Sequence, residues 1–332
     1  MKKCTITMVD QKQNYDGAIA RLREMGVEAV WKKKEIANSQ DPKVVIGQCR
    51  DSSYIINGIE IWSREVIEAC RDLELIVRYG VGYNAIDLDA ATEHGVAVAY
   101  LPGVNTVAVA EHAVMLMMAA LRRVGAMTGM LHRGYFSEAN YLTPQFNGKT
   151  IGVLGCGRIG KAVCRMLSGF DCRLLAYDVY EDRAFAEQYR VEYVPAEELM
   201  RRSDIITVHV PVLPETVHII NRESISRMKD GVVIVNTSRG ETVCSADLAE
   251  ALKSGKVYAA GLDVFEGEGG HNMHAPFIGL EQAIITPHVA SSTFETYGAM
   301  IDKSVEIIDK FRKQEDLTGW LLNPAYRDHL RA

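Results

Sequence analysis

The 332-residue sequence is most informative first in what it lacks. It has no apolar run able to cross a bilayer: the longest, AVMLMMAAL at residues 113–121, falls far short of the ~20 residues a membrane helix needs. It has no basic tract, and 37 Lys and Arg against 43 Asp and Glu leave a net charge of −6. That balance excludes an extended nucleic-acid surface but leaves room for a small anion bound by local donors. It has no CxxC pair. The seven cysteines, at 4, 49, 70, 156, 164, 172 and 244, read as reduced thiols of a cytoplasmic protein rather than a disulfide or metal framework. MKKCTITMVDQ is not expected to be a signal peptide: it carries two lysines, but its apolar stretch is short, broken by Asp10, and reads as a first strand. No low-complexity segment and no fixed repeat is present.

What is present is ordinary globular material, 48% hydrophobic and 24% charged, in a chain long enough that two domains are the natural expectation. Short β-branched runs alternate with helical patterns. CTITMV, KVVIGQ, SYIIN, LELIVRYG and GVAVAYLP fill the first hundred residues. KTIGVLG, CRLLAYD, DIITVHVP, GVVIVNTS, KVYAAGLDVF and QAIITPH follow later. Continuous apolar strands separated by helices indicate parallel sheets buried on both faces, and the two series suggest two α/β units. Between them, Val107, Ala110, Val114, Met117 and Leu121 recur at helical spacing, so residues 105–127 read as one long, largely buried connecting helix. A last helix is expected at about residues 293–313, with Ser291, Ser292 and Thr293 available as caps.

The most specific feature is KTIGVLGCGRIGKAVCRMLSGFDCRLLAYD, residues 149–178. Gly155, Gly157 and Gly160 form GxGxxG directly after an apolar strand, and Ile159, Ala162, Val163, Met166 and Leu167 mark an amphipathic helix. A second strand then ends in Asp178. Gly155 permits the tight turn, Gly157 lets backbone amides approach a pyrophosphate, and Gly160 lets helix pack on strand. The helix N-terminus supplies N–H donors and a positive dipole end. Asp178 is placed to accept from ribose hydroxyls and to repel a 2′-phosphate, which favours NAD (NADH) over NADP. Cys156, inside the turn, reads as a plain small residue.

Hydride transfer at a hydroxyl-bearing carbon also moves a proton on oxygen, which calls for an acid/base near neutral pKa. A 2-hydroxy acid would add a carboxylate that an arginine fork suits. In α/β sheets such groups lie just past the carboxyl ends of strands. Four strand ends qualify: GVVIVNTSRG with Arg239, AAGLDVFEGE with Asp263, Glu266 and Glu268, AIITPH with His288, and IITVHVP with His209. Each residue alone has a bland reading as a solvated or capping side chain; together they form a cation, an acid partner and an imidazole.

GCGRIG, HVPVLPET, NTSRG, GLDVFEGE and TPHVASST, in that order, resemble the D-isomer-specific 2-hydroxyacid dehydrogenases, as do RYGVGYNAID (78–87) and GVNTVAVAEHAV (103–114). The resemblance runs from about residue 44 to 325. It implies two doubly wound parallel-sheet α/β domains, a Rossmann NAD domain (103–290) inserted into a discontinuous flavodoxin-like substrate domain (1–102 plus 291–332), with a cleft that closes between them. It implies that Arg239 grips the substrate carboxylate and polarises the carbonyl, that His288 carries the proton, and that Glu268, with Glu266 the near competitor, pairs with His288. Tyr79, Gly80, Val81 and Gly82 become substrate contacts. Cofactor contacts extend to Thr106, Arg158, Ile159, His209, Val210 and Pro211. Thr216, Thr237, Ser238, Arg239, Asp263, His288 and Ser291 complete that set. A homodimer joined through the NAD domains by the helix from residue 105 is also implied.

Departures from the family pattern are local. Many relatives carry a proline soon after the glutamate and a later PLL run; here the segment reads EGEGGHNMHAPFIGLEQA, with Gly269 and Gly270. His271 and His274 have metal-ligand spacing but no supporting residues, so a solvated loop without metal is expected. Phosphoglycerate dehydrogenases place basic residues after the third strand, yet residues 53–63, SYIINGIEIWS, contain no Arg or Lys, and the regulatory module many of them carry is not expected here. A small unphosphorylated acid of the glyoxylate, hydroxypyruvate or pyruvate type is therefore favoured, with Arg78 keeping a D-3-phosphoglycerate reading open. An NAD(H)-sensing corepressor-like protein shares the fold but is disfavoured by the compact ends. A formate or phosphite dehydrogenase also belongs to the superfamily. The formate enzymes pair the histidine with glutamine, and Glu268 argues against them.

Overall fold

Each strand ladder among the described residues is parallel, as the continuous apolar runs require. The computed structural model describes residues 1–8, 15–32, 40–136, 142–268 and 274–330. In chain order the elements begin β1 (Lys3–Ile6), α1 (Asp16–Glu24), β2 (Glu28–Trp31), α2 (Pro42–Cys49), β3 (Tyr54–Asn57), α3 (Arg64–Ala69), β4 (Leu75–Arg78), α4 (Leu88–Glu93) and β5 (Ala97–Ala99). Then come α5 (Thr106–Leu121), α6 (Val124–His132), β6 (Thr150–Leu154), α7 (Arg158–Leu167), β7 (Arg173–Tyr177), α8 (Arg183–Tyr189), β8 (Val191–Tyr193), α9 (Ala196–Arg202) and β9 (Ile205–Val208). The series ends with α10 (Arg222–Arg227), β10 (Val232–Asn236), α11 (Ser245–Ser254), β11 (Val257–Leu262), β12 (Ala283–Ile285) and α12 (Phe294–Arg312).

The chain divides into two units, Met1–Asn105 with Thr293–Ala332, and Thr106–Ser292. The first carries a five-stranded sheet of order β2-β1-β3-β4-β5, the flavodoxin-like winding. Its core gathers Ile6, Tyr54, Ile56, Leu75 and Val77 from the strands with Val305 and Ile308 from α12. The second carries seven strands in the order β12-β11-β10-β9-β6-β7-β8. Strand order reverses between β6 and β9, which places a crevice outside the carboxyl ends of those strands. Doubly wound α/β architecture is therefore what the alternating pattern specified.

Local chemistry explains where the elements depart from the sequence reading. KVVIGQ is a helix, not a strand. Asp41 accepts from the Lys43 amide at 2.9 Å and Pro42 opens the first turn, so a cap overrides the β-branched run. The long helix after residue 105 is two helices, α5 and α6, bent by 65°; Arg123 breaks it with a left-handed φ of 49°. Ala110, Met117 and Leu121 are buried as their spacing implies, but Val107 is exposed. No single described helix is long and apolar enough to cross a membrane. The edge strands β2 and β8, of four and three residues, each carry a glutamate and gave no apolar run to read.

Helix α5 closes one face of the seven-stranded sheet with Ala113, Leu116 and Ala120 against Ile151, Val153, Val233 and Val235. Leu116 is fully buried there. Leu116→Ala removes a packed isobutyl group from a rigid layer and should cost roughly 2–5 kcal/mol, read as a lower urea midpoint. A midpoint that stays put would mean that α5 does not hold this sheet.

Candidate active site

The β6–α7 turn is built by close approach. A Cβ on Gly160 would stand 2.1 Å from the Gly155 carbonyl oxygen, and one on Gly155 (φ 97°) 2.7 Å from the His209 backbone, so neither position admits a side chain. Gly157 differs: a Cβ there would meet nothing within 4 Å, and no side chain caps α7. Its first-turn amides and the space over them thus suit a diphosphate, the fit expected of a dinucleotide. At the end of β7, Asp178 accepts from the Cys156 amide at 2.7 Å and from the Tyr180 amide at 3.0 Å. The acid therefore also locks the glycine turn, while Cys156 is buried beneath it.

The ends of β10, β11 and β12 carry the candidate reacting groups. After β10, buried Asn236 shapes the turn: its side-chain amide donates to the Arg239 carbonyl at 2.9 Å and its oxygen accepts from the Ser238 amide at 3.0 Å. Arg239 is half-buried, donating to the Ser238 carbonyl at 2.7 Å. Gly240 lies against Phe265, where a Cβ would come within 2.3 Å of backbone, so the loops after β10 and β11 touch.

After β12, His288 sits at a left-handed φ of 53°. Its Nδ1 lies 2.7 Å from Glu268 Oε1, and Glu268 Oε2 accepts from the Phe265 amide at 3.1 Å. Glu266 does not reach it: its oxygens are 2.5 Å from His218 Nε2 and 2.7 Å from the Ser245 amide. The Glu268 contact raises the His288 pKa above its ordinary 6.5, against the opposing pulls of burial and Arg239. Nδ1 is the ring nitrogen engaged by Glu268, and Nε2 points away from that contact.

Asp263 holds that turn. Its side chain is 1% exposed, and its oxygens accept from the Thr286 hydroxyl at 2.6 Å, the Val289 amide at 2.9 Å and the Ala290 amide at 2.8 Å. His112 of α5 joins the group, 2.9 Å from the Thr286 hydroxyl and 3.5 Å from Asp263. Burial pushes the Asp263 carboxyl up, but His112, Thr286 and the two amides outweigh it and bring it to about 2. Sequence reasoning cast Asp263 as a cofactor contact and passed over His112, Thr286 and Asn236; a lone histidine on an apolar helix was the one available signal.

His209, after β9, has its ring 2.9 Å from the Thr207 hydroxyl, and desolvation lowers its pKa to about 4, so it stays neutral. Thr216 donates to the Pro211 carbonyl at 2.6 Å and shapes the turn beyond Val210. Thr237 is buried behind Arg239, Thr106 opens α5, and Ser291 lies just past the His288 turn. In the first unit, Gly80 (φ 137°) follows β4. The Arg78 guanidinium donates to the carbonyls of Gly82 at 2.6 Å, Tyr79 at 3.1 Å and Gly58. The guanidinium thereby braces the turn after β4. Tyr79 is 4% exposed, with its hydroxyl donating to the Tyr297 carbonyl at 2.7 Å, so its ring packs in the core of that unit. Gly269, Gly270 and His271 lie outside the described residues, and His274 is exposed.

A diphosphate cradle and a tuned imidazole on one sheet edge define a nicotinamide-dependent oxidoreductase. Residues 114–290 match the model of the D-isomer specific 2-hydroxyacid dehydrogenase NAD binding domain. A D-3-phosphoglycerate dehydrogenase of Archaeoglobus fulgidus is 42% identical over 70% of this chain, which spans 44% of that protein. A hydroxypyruvate reductase of Blautia hydrogenotrophica is 36% identical over 82% of this chain and 86% of its own. The solved D-lactate dehydrogenase of Aquifex aeolicus, complexed with NAD and lactic acid, superposes with a TM-score of 0.81 at 26% identity, covering 97% of this chain and 99% of that one. The chain belongs to the D-isomer specific 2-hydroxyacid dehydrogenase family and is an NAD-dependent oxidoreductase of that class.

Because the folded pKa of His288 is raised, its pairing with Glu268 stabilises the fold fully below about pH 6.5, and that contribution fades as pH rises through the folded value. Glu268→Gln keeps the shape but removes the charge. An NMR titration of the His288 imidazole should then show a lower pKa, and an unmoved value would dismiss Glu268 as its cause.

Proposed function

We propose that this protein interconverts a small, unphosphorylated D-2-hydroxy acid and its 2-oxo acid. The observation that carries the reading is the 2.7 Å contact between His288 Nδ1 and Glu268 on the sheet edge that also presents Arg239. NAD, when bound on the Gly157 cradle, supplies or accepts the hydride at substrate C2. His288 Nε2 gives a proton to the carbonyl oxygen during reduction and takes it back during oxidation. Glu268 fixes the ring and favours its charged form. Arg239 binds the carboxylate and polarises the carbonyl through a planar fork.

Asp263 acts in this reading by holding the turn of His288, and His209 lines the cofactor side as a neutral ring. In the first unit, the turn at Gly80, Val81 and Gly82 is the proposed seat of the substrate carboxylate, its shape fixed by Arg78. The absence of basic residues from 53–63, together with the engagement of Arg78, supports a substrate without phosphate. Seven free thiols support a cytoplasmic setting.

His288→Ala and Arg239→Ala should each lower turnover at least ~10²-fold with glyoxylate, hydroxypyruvate or pyruvate, while the circular dichroism spectrum persists. Near-normal rates in either variant would remove that residue from the mechanism, and 3-phosphohydroxypyruvate as the preferred member of the panel would overturn the substrate class.

A second copy of the chain is the proposed partner. Helices α5 and α6 and the turn after α7 present Met115, Val124 and Phe170 as exposed apolar groups beside Val114, Met118 and Met166. A contiguous apolar face of this kind marks an association surface. Met115→Glu should convert a sedimenting dimer to monomer; a wild-type protein that sediments as monomer would refute the pairing.

A further inference from the structure

Outside the reacting centre, three loops of the seven-stranded unit bring unlike ligand atoms together. His218 lies between β9 and α10, Cys244 precedes α11, and Glu266 follows β11. His218 Nε2, Cys244 Sγ and a Glu266 oxygen all stand within 4.8 Å of one another. The frame beneath them is stiff. The His218 amide donates to the Glu241 carbonyl at 2.8 Å, the Ile220 amide to Thr242 at 3.1 Å, and the Cys244 amide back to Ile220 at 2.9 Å. Asn221 donates its side-chain amide to the His218 carbonyl at 2.8 Å. The Ser245 amide holds one Glu266 oxygen at 2.7 Å, which aims the other at His218. That is the outer-shell orientation metal-ligating carboxylates receive.

We propose that His218, Cys244 and Glu266 form a binding site for a borderline-soft divalent cation of the zinc and cobalt class. One nitrogen, one thiolate and one carboxylate suit that class, and three protein ligands leave a fourth position for water. Ligand bonds of about 2.0–2.3 Å set tetrahedral donors about 3.3–3.6 Å apart. The imidazole and carboxylate, now 2.5 Å apart, must spread by about an ångström, which partly exposed side chains can do. Binding replaces the His218–Glu266 hydrogen bond by two metal bonds and the Cys244 S–H by a metal–sulfur bond. The thiol proton leaves to solvent and the proton held between His218 Nε2 and Glu266 passes through water to Nδ1, with no change of oxidation state. The site is distinct from the acid/base pair, since Glu266 spends its oxygens on His218 and Ser245 and none on His288.

Cobalt(II) chloride titrated anaerobically into the chelator-treated full chain tests this. The expected result is one equivalent bound per chain, a thiolate-to-cobalt charge-transfer band in the near ultraviolet, and proton release on binding. Cys244→Ser should lose the band, His218→Ala should weaken binding at least ~10-fold, and Cys172→Ser should change neither. Binding without the band, a band that survives Cys244→Ser, or unaltered affinity in a folded His218→Ala protein would each overturn the site. Should Cys244→Ser not fold, the His218→Ala affinity decides alone.

Discussion

The arrangement at the strand ends depends on one buried charge. Asp263 is almost fully enclosed, and a carboxylate in that setting is tolerated only when its oxygens are satisfied. The Thr286 hydroxyl and the amides of Val289 and Ala290 do this, with His112 close by. Those bonds fix the turn at both sides of His288, whose left-handed backbone would otherwise relax. The backbone of His288 is thus held by a buried carboxylate on a neighbouring strand end.

Three acids within six residues then divide the work by what surrounds them. Asp263 is buried and structural, Glu266 faces His218 and Cys244, and Glu268 meets His288. Histidines separate in the same way. His288, partnered by a carboxylate, is pushed towards the charged form, whereas His209, desolvated without one, is held neutral with a pKa of about 4. Environment rather than residue type assigns each role, and the parallel sheet makes this possible by bringing all of these loops to one edge.

Much of the fold was legible because its signals are local. The β6–α7–β7 segment combines a strand, three spaced glycines and a 3.6-residue apolar period within thirty residues of chain. The errors were local too, but arose where a competing signal was ignored. Asp41 and Pro42 turn KVVIGQ into a helix, and Arg123 breaks a helix that apolar content would have continued. Edge strands β2 and β8 escaped because strands open on one side need no continuous apolar run.

The sequence by itself determined the class of fold, the dinucleotide turn and the kinds of side chain at each strand end, since these follow from periodicity and from glycines that steric contact demands. Only the tertiary structure decided that Glu266 meets His218, which carbonyls Arg78 and Tyr79 bind, and that His112 reaches Thr286 across 174 residues. Those pairings depend on the order in which strands lie side by side, and strand order is a property of the packed sheet that no local stretch of sequence records.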